Sequence, residues 1–187
     1  MMISLFKPFQ MLSQFSCDGS KNTTLKELKL PDSVHPVGRL DADSEGLLLL
    51  TDEHGWEERL LHPKRHHGKT YWAQVDGAVS PESIQKLCRG VVIQGKPTRK
   101  CEARVIQPPH CLPDRHPPVR FRKSVPTSWL EVTLYEGRNR QLRRMTAAIG
   151  HPSLRLVRIA IGAYQLSHWT PGSWYEINPQ EKRKLTR

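Results

Sequence analysis

The run Glu45-Gly46-Leu47-Leu48-Leu49-Leu50-Thr51 constrains the fold more than any other segment of this chain. Four successive leucines make both faces of an extended segment apolar, so a strand here has to be covered on both sides. No apolar run in the chain approaches the roughly 18 residues that a membrane-spanning helix needs, which excludes a helical membrane protein. The run is preceded by a second extended segment, residues 35–40, and a short polar turn, Asp41-Ala42-Asp43-Ser44, joins the two.

Elements on either side supply the cover. The opening ISLFKPFQML reads as a buried strand broken at Pro8, and TLKELKL from Thr24 as a brief helix that ends before Pro31. Residues 55–61 give one or two helical turns stopped by Pro63, and residues 69–75 alternate as a strand. Ser80-Pro81-Glu82 is a helix start, with a hydroxyl cap, proline at the first position and an early acid, and Gly90 ends that helix. Residues 91–107 suggest a strand pair interrupted at 95–97, and residues 108–126 form a basic, proline-rich loop. A strand at 129–135, a helix at 138–149 ended by Gly150, and strands at 154–161 and 174–177 follow. Strands with a few interspersed helices predict an α+β domain around a mixed sheet. It is expected to span residues 1–179, with 180–187 as a frayed basic tail.

The chain has 187 residues, enough to bury a core without staples. Lysine and arginine total 29 against 18 acids, a formal charge of +11. An excess of that size points to a polyanionic partner. Cys17, Cys88, Cys101 and Cys111 form no C-x-x-C pair and no cleavable leader is evident, so reduced thiols in a cytoplasm are expected. The grouping Cys101, His110, Cys111 and His116 matches no zinc spacing, and no glycine-rich nucleotide loop occurs. Neither a metal nor a cofactor is expected.

Two segments carry candidate chemistry. In GRLDADSEGLLLLTDEHG, residues 38–55, Asp41 sits on a turn at the exit of one strand and just before another. Taken alone, such an aspartate is most often a turn former that caps its own backbone. In YEGRNRQLRRMTAAIG, residues 135–150, Arg138, Arg140, Arg143 and Arg144 enter a helix whose Leu142, Met145 and Ile149 fall on one face. Arg143 is then at the margin between core and solvent, where a guanidinium can still reach a carboxylate.

These two segments, in order with GKTYWAQVDG and FKPF, resemble the RsuA-type family of ribosomal RNA pseudouridine synthases. The resemblance runs from about residue 3 to residue 177. It implies a pseudouridine synthase catalytic fold: a central mixed, mostly antiparallel sheet flanked by helices, with two lobes, an RNA-binding cleft between them and no separate N-terminal RNA-binding module. It implies a catalytic role for Asp41, base stacking by Tyr71, a buried arginine at Arg143, and pocket support from Leu142, Arg39 and Lys7. It further implies action on 23S ribosomal RNA near the peptidyl-transferase centre, without cofactor, with the nucleotide flipped into the pocket.

The reaction breaks the bond from C1′ to N1, turns the uracil and rejoins it through C5. Asp41 can serve as nucleophile at C1′ or as base at the ribose, and both routes stay open. An arginine within a few ångströms lowers an acid's pKa by about 1–3 units, which suits Arg143 as partner of Asp41. Expected phosphate contacts are Lys64, Arg65, His66, His67 and Lys69, then Arg120, Arg122 and Lys123, then Arg138, Arg140, Arg144, Arg155 and Arg158. A monomer is expected.

Overall fold

A computed structural model describes residues 1–62, 67–119 and 125–186. Eleven strands form among them: β1 (Met2–Lys7), β2 (His35–Pro36), β3 (Glu45–Thr51), β4 (Lys69–Asp76), β5 (Val92–Ile93), β6 (Lys96–Pro97), β7 (Glu102–Ile106), β8 (Thr127–Leu134), β9 (Ser153–Ile161), β10 (Tyr164–Gln165) and β11 (Trp174–Glu176). The helices are α1 (Trp56–Leu61), α2 (Pro81–Arg89), α3 (Gln141–Ala148) and α4 (Pro179–Lys184), with a 3-10 turn at Leu25–Glu27. The large sheet has the order β11-β1-β3-β9-β4-β8-β7, with β2 attached to β3 and β10 to β9. Every pairing in it is antiparallel except β3 with β9, which meet in parallel at Glu45↔Val157 and Gly46↔Arg158.

The leucine run behaves as its composition requires. All seven residues of β3 are buried, and the two faces serve different cores. Leu47 and Leu49 pack with Phe6, Trp56 and Leu185, while Leu48 and Leu50 pack with Ile3, Leu5 and Leu25. A third core, built on Ala73, Val75, Leu87, Leu130, Leu142 and Met145, lies in the other half of the sheet. The sheet itself continues between the halves through β9 and β4. Tyr71 on β4 packs against the cores of both halves.

The parallel join fixes the start of β3. Gly46 has φ +96, and a Cβ there would lie 2.3 Å from the Arg158 carbonyl oxygen. Only glycine allows this approach, and it pins the strand just after the 41–44 turn onto β9.

Some elements differ from the sequence-based expectations. The extended segment expected at 35–40 is a strand only at His35–Pro36, after which Val37 still donates to the Leu49 carbonyl at 2.8 Å. The pair expected within 91–107 is a small separate hairpin, β5 and β6, while β7 joins the main sheet. Residues 180–185 are not a frayed tail. Asn178 caps α4 through Gln180 and Glu181, and Leu185 is fully buried. Its lysines and arginine had masked a single apolar anchor. No helix among the described residues is long and apolar enough to cross a membrane.

Candidate active site

Asp41 opens a turn that closes through Ser44 N–H to the Asp41 carbonyl at 3.0 Å. The loop after β1 braces it from below. Gln10, at φ 59, donates its backbone N–H to the Ala42 carbonyl at 2.7 Å, a left-handed position where a glycine is more usual. Lys7, with no exposed surface, donates to the Pro8 and Met11 carbonyls at 2.8 and 2.7 Å and reaches Ala42 O at 3.4 Å.

Burial pushes the Lys7 ammonium down to about 7, against the opposing pull of Glu45, Asp43 and Asp41. In an unfolded chain a lysine keeps its proton to about pH 10. Between about pH 7 and pH 10 the unfolded state therefore binds more protons, and stability rises with pH across that window. Urea unfolding of Lys7→Met should lack this contribution, so the stability advantage of the wild type should widen as pH rises from about 7 to about 10. A constant difference across the window would contradict this behaviour of Lys7.

The arginines close the turn from the other side. Arg140 pairs through two nitrogens with Asp43, at 2.9 and 2.7 Å, and lies 3.8 Å from Asp41 Oδ2. Arg143 donates to the Asp43 carbonyl at 2.6 Å and to the Ser153 carbonyl at 3.2 Å, and its Nε lies 3.3 Å from Asp43 Oδ2. Burial would raise the Asp43 carboxyl, but the Arg140 hydrogen bond and both guanidinium charges outweigh it and hold Asp43 below its usual range. Burial likewise pushes Arg143 below its ordinary value.

The sequence reading paired Arg143 with Asp41. The structure gives Arg143 to Asp43 and puts Arg140 nearest Asp41, because α3 starts at Gln141 rather than at 138. Arg140 adopts φ 50, outside the helix, which swings its guanidinium over the turn. Leu142, Met145 and Ile149 are buried as their spacing predicts.

Above the turn is a cavity of about 690 Å³, within the usual range for a small-ligand pocket. Asp41, Tyr71, Leu142 and Arg39 line it, as do His67, Lys69, Arg138, Arg140 and Arg158 from the expected RNA contacts. Arg143 and Lys7 do not line it and act from behind. Lys64, Arg65, His66, Arg120, Arg122 and Lys123 lie outside the described residues. Arg144 is half-buried, bonded to Asn139 at 3.0 Å, and is not on the cavity wall.

Two expected phosphate contacts are instead interior. Arg155 is 6% exposed and makes a two-point pair with Glu45, both bonds 2.8 Å, plus a bond to the Pro113 carbonyl at 2.9 Å. Arg158 is 3% exposed and donates to the Leu47 carbonyl at 2.8 Å. Their setting in SLRLVRIAI carried the signal, since charges inside a strand with both faces covered must be paired or point into a site.

Three groups escaped the sequence reading. Asp43 looked like an ordinary turn former, although an acid two residues from Asp41 facing an arginine-rich segment was a usable clue. Arg99 lines the cavity from beside β6. Arg115 lies 4.0 Å over the Phe9 ring and donates to the Leu154, Pro117 and Pro118 carbonyls, tying the proline-rich loop to the loop below the turn. No group of three metal-binding side chains occurs among the described residues.

Known proteins share this sequence and fold. Residues 3–148 match the family described as RNA pseudouridylate synthase. A Xanthomonas campestris protein named ribosomal large subunit pseudouridine synthase E is 50% identical over 175 residues, 93% of this chain and 94% of its own length. A Vibrio vulnificus protein of the same name is 46% identical over 92% of this chain and 73% of its own. A solved structure described as a pseudouridylate synthase superposes with a TM-score of 0.80 at 26% identity, covering 98% of this chain and 73% of that one. With the fold, the matched residues and the relatives in agreement, the chain belongs to the RNA pseudouridylate synthase family and is a pseudouridine-forming isomerase.

Proposed function

We propose that this enzyme isomerises one uridine of the large-subunit ribosomal RNA, 23S rRNA, near the peptidyl-transferase centre, with Asp41 acting on a nucleotide flipped into the cavity. The observation that carries the reading is the cavity itself, in which Asp41 and Tyr71 share a space of about 690 Å³ with cationic side chains around it. The relatives' names supply the class of RNA.

The chemistry assigns a task to each wall. The carboxylate of Asp41 meets the ribose or base at the start of the reaction, when the bond from C1′ to N1 breaks. The Tyr71 ring, held at the seam between the cores, stacks on the detached uracil, a contact worth about 1–3 kcal/mol. C5 then bonds to C1′, the C5 proton leaves, and N1 ends protonated. Arg39, Arg138 and Arg140 meet the phosphates beside the flipped nucleotide, and their contacts offset the few kcal/mol that extrusion costs. The domain that does this comprises residues 1–179 with α4 packed onto it, works in the cytoplasm as a monomer, and needs no cofactor.

The test is a map of pseudouridines in ribosomal RNA from cells lacking the gene. One 23S position should revert to uridine and recover when the wild-type gene is restored. An unchanged 23S map would overturn the assignment.

A further inference from the structure

Arg158 is the buried cation that the proposed mechanism leaves without a task. It lies on β9 across from Tyr71 on β4 and Gly46 on β3. Although 3% exposed, it lines the cavity with Asp41 and Tyr71. Its Nε bond to the Leu47 carbonyl, 2.8 Å, fixes the guanidinium on the backbone of the central strand. Its Nη2 is buried and has no hydrogen-bond partner among the described residues. The nearby buried acid, Glu45, is already committed to Arg155. A buried donor left open on a cavity wall is placed to be met by a group that enters the cavity.

The chemistry of the open group narrows that ligand. A guanidinium donates from every N–H and accepts nothing. Exposed cations at the rim, Arg39 and Arg140, are placed for backbone phosphates, whereas a buried group on the cavity wall meets what enters deepest, the base. Uracil offers carbonyls at C2 and C4. Cytosine replaces the second with an amino donor, which a guanidinium N–H repels. Turning uracil half a revolution about its N3–C6 axis brings C5 to the place of N1 and exchanges the two carbonyls. One donor-only group therefore fits the ring before and after it turns.

We propose that Nη2 of Arg158 donates to the C4 carbonyl of the target uracil before the ring turns and to its C2 carbonyl afterwards, selecting uracil over cytosine and retaining the detached ring in both orientations. This rests on the proposed reaction. Burial, and secondarily Arg158 itself, push the neighbouring Lys69 ammonium below its ordinary value, in keeping with two cations that share one part of the cavity wall.

The experiment uses a 23S rRNA fragment that the wild-type protein modifies, carrying uridine, 2-thiouridine, 4-thiouridine or cytidine at the modified position. Sulfur accepts hydrogen bonds poorly. The wild type should lose about tenfold or more in kcat/KM on a thio substrate and bind the uridine RNA about tenfold more tightly than the cytidine RNA. Arg158→Gln and Arg158→Lys should be slower on uridine, with thio and cytidine ratios near one. Each ratio is taken within one protein, so partial loss of folded material cancels, and Lys keeps a donor for Leu47. If a variant is inactive, its uridine-to-cytidine Kd ratio decides. Variants that retain the wild-type ratios would overturn the role of Arg158. Wild-type protein that modifies no 23S fragment would overturn the proposed function instead, and this inference with it.

Discussion

Asp41→Asn should lower pseudouridine formation by about 10³-fold or more while RNA affinity changes by less than about twofold. Asparagine keeps the shape of the side chain but is neither a base nor a nucleophile at neutral pH. The turn should survive the change, because its closing bonds do not use the Asp41 carboxylate: Ser44 N–H reaches the Asp41 carbonyl, Gln10 N–H the Ala42 carbonyl, and Arg140 the Asp43 carboxylate. Asp41 faces Arg140 at 3.8 Å, a loose contact at a side chain about one-third exposed, so little stability is at stake. Pseudouridine yield by mass spectrometry and Kd by filter binding separate the two effects. A parallel fall in both would mean that Asp41 holds RNA rather than acting on it.

Arg143→Met should be costly in a different way. Arg143 is a positioning residue whose guanidinium, 13% exposed, ties the Asp43 and Ser153 carbonyls together and neutralises the Asp43 carboxylate. Removing it leaves two carbonyls unpaired and the Asp43 carboxylate to Arg140 alone, with an expected loss of about 1–3 kcal/mol in unfolding free energy. The turn that carries Asp41 would also lose its fixed distance from α3, and kcat should fall by about 10²-fold with a smaller change in KM. Arg143→Lys should recover only part of the rate, because an ammonium cannot reproduce the planar, several-point contact. Full rescue by lysine would reduce the role of Arg143 to its charge.

The parts of this molecule that the sequence made legible are those with local punctuation. β3 begins and ends where the run Glu45–Thr51 predicts, and α2 where Ser80, Pro81 and Gly90 predict. Asp41, Tyr71 and Leu142 do meet in one cavity. The start of α3 was hidden because Arg140 takes a left-handed conformation that no glycine or asparagine announces, with its guanidinium paired to Asp43, 97 residues away. That same distant pairing decides which arginine faces which acid. The expectation that Arg155 and Arg158 contact phosphate rests on net charge, which carries no burial information, and that of a basic tail on a segment in which Leu185 is the lone apolar residue. In each case the deciding contact is made by tertiary packing, which residue type alone does not encode.

In the proposed reaction a uridine of 23S rRNA reacts at Asp41 inside the cavity. A crystal structure of the Asp41→Asn protein with its 23S target fragment tests it directly. The predicted result is a uridine turned out of the RNA stack, its uracil lying on Tyr71 and its C1′ within about 4 Å of the side chain at position 41. RNA bound with that uridine outside the cavity would contradict it.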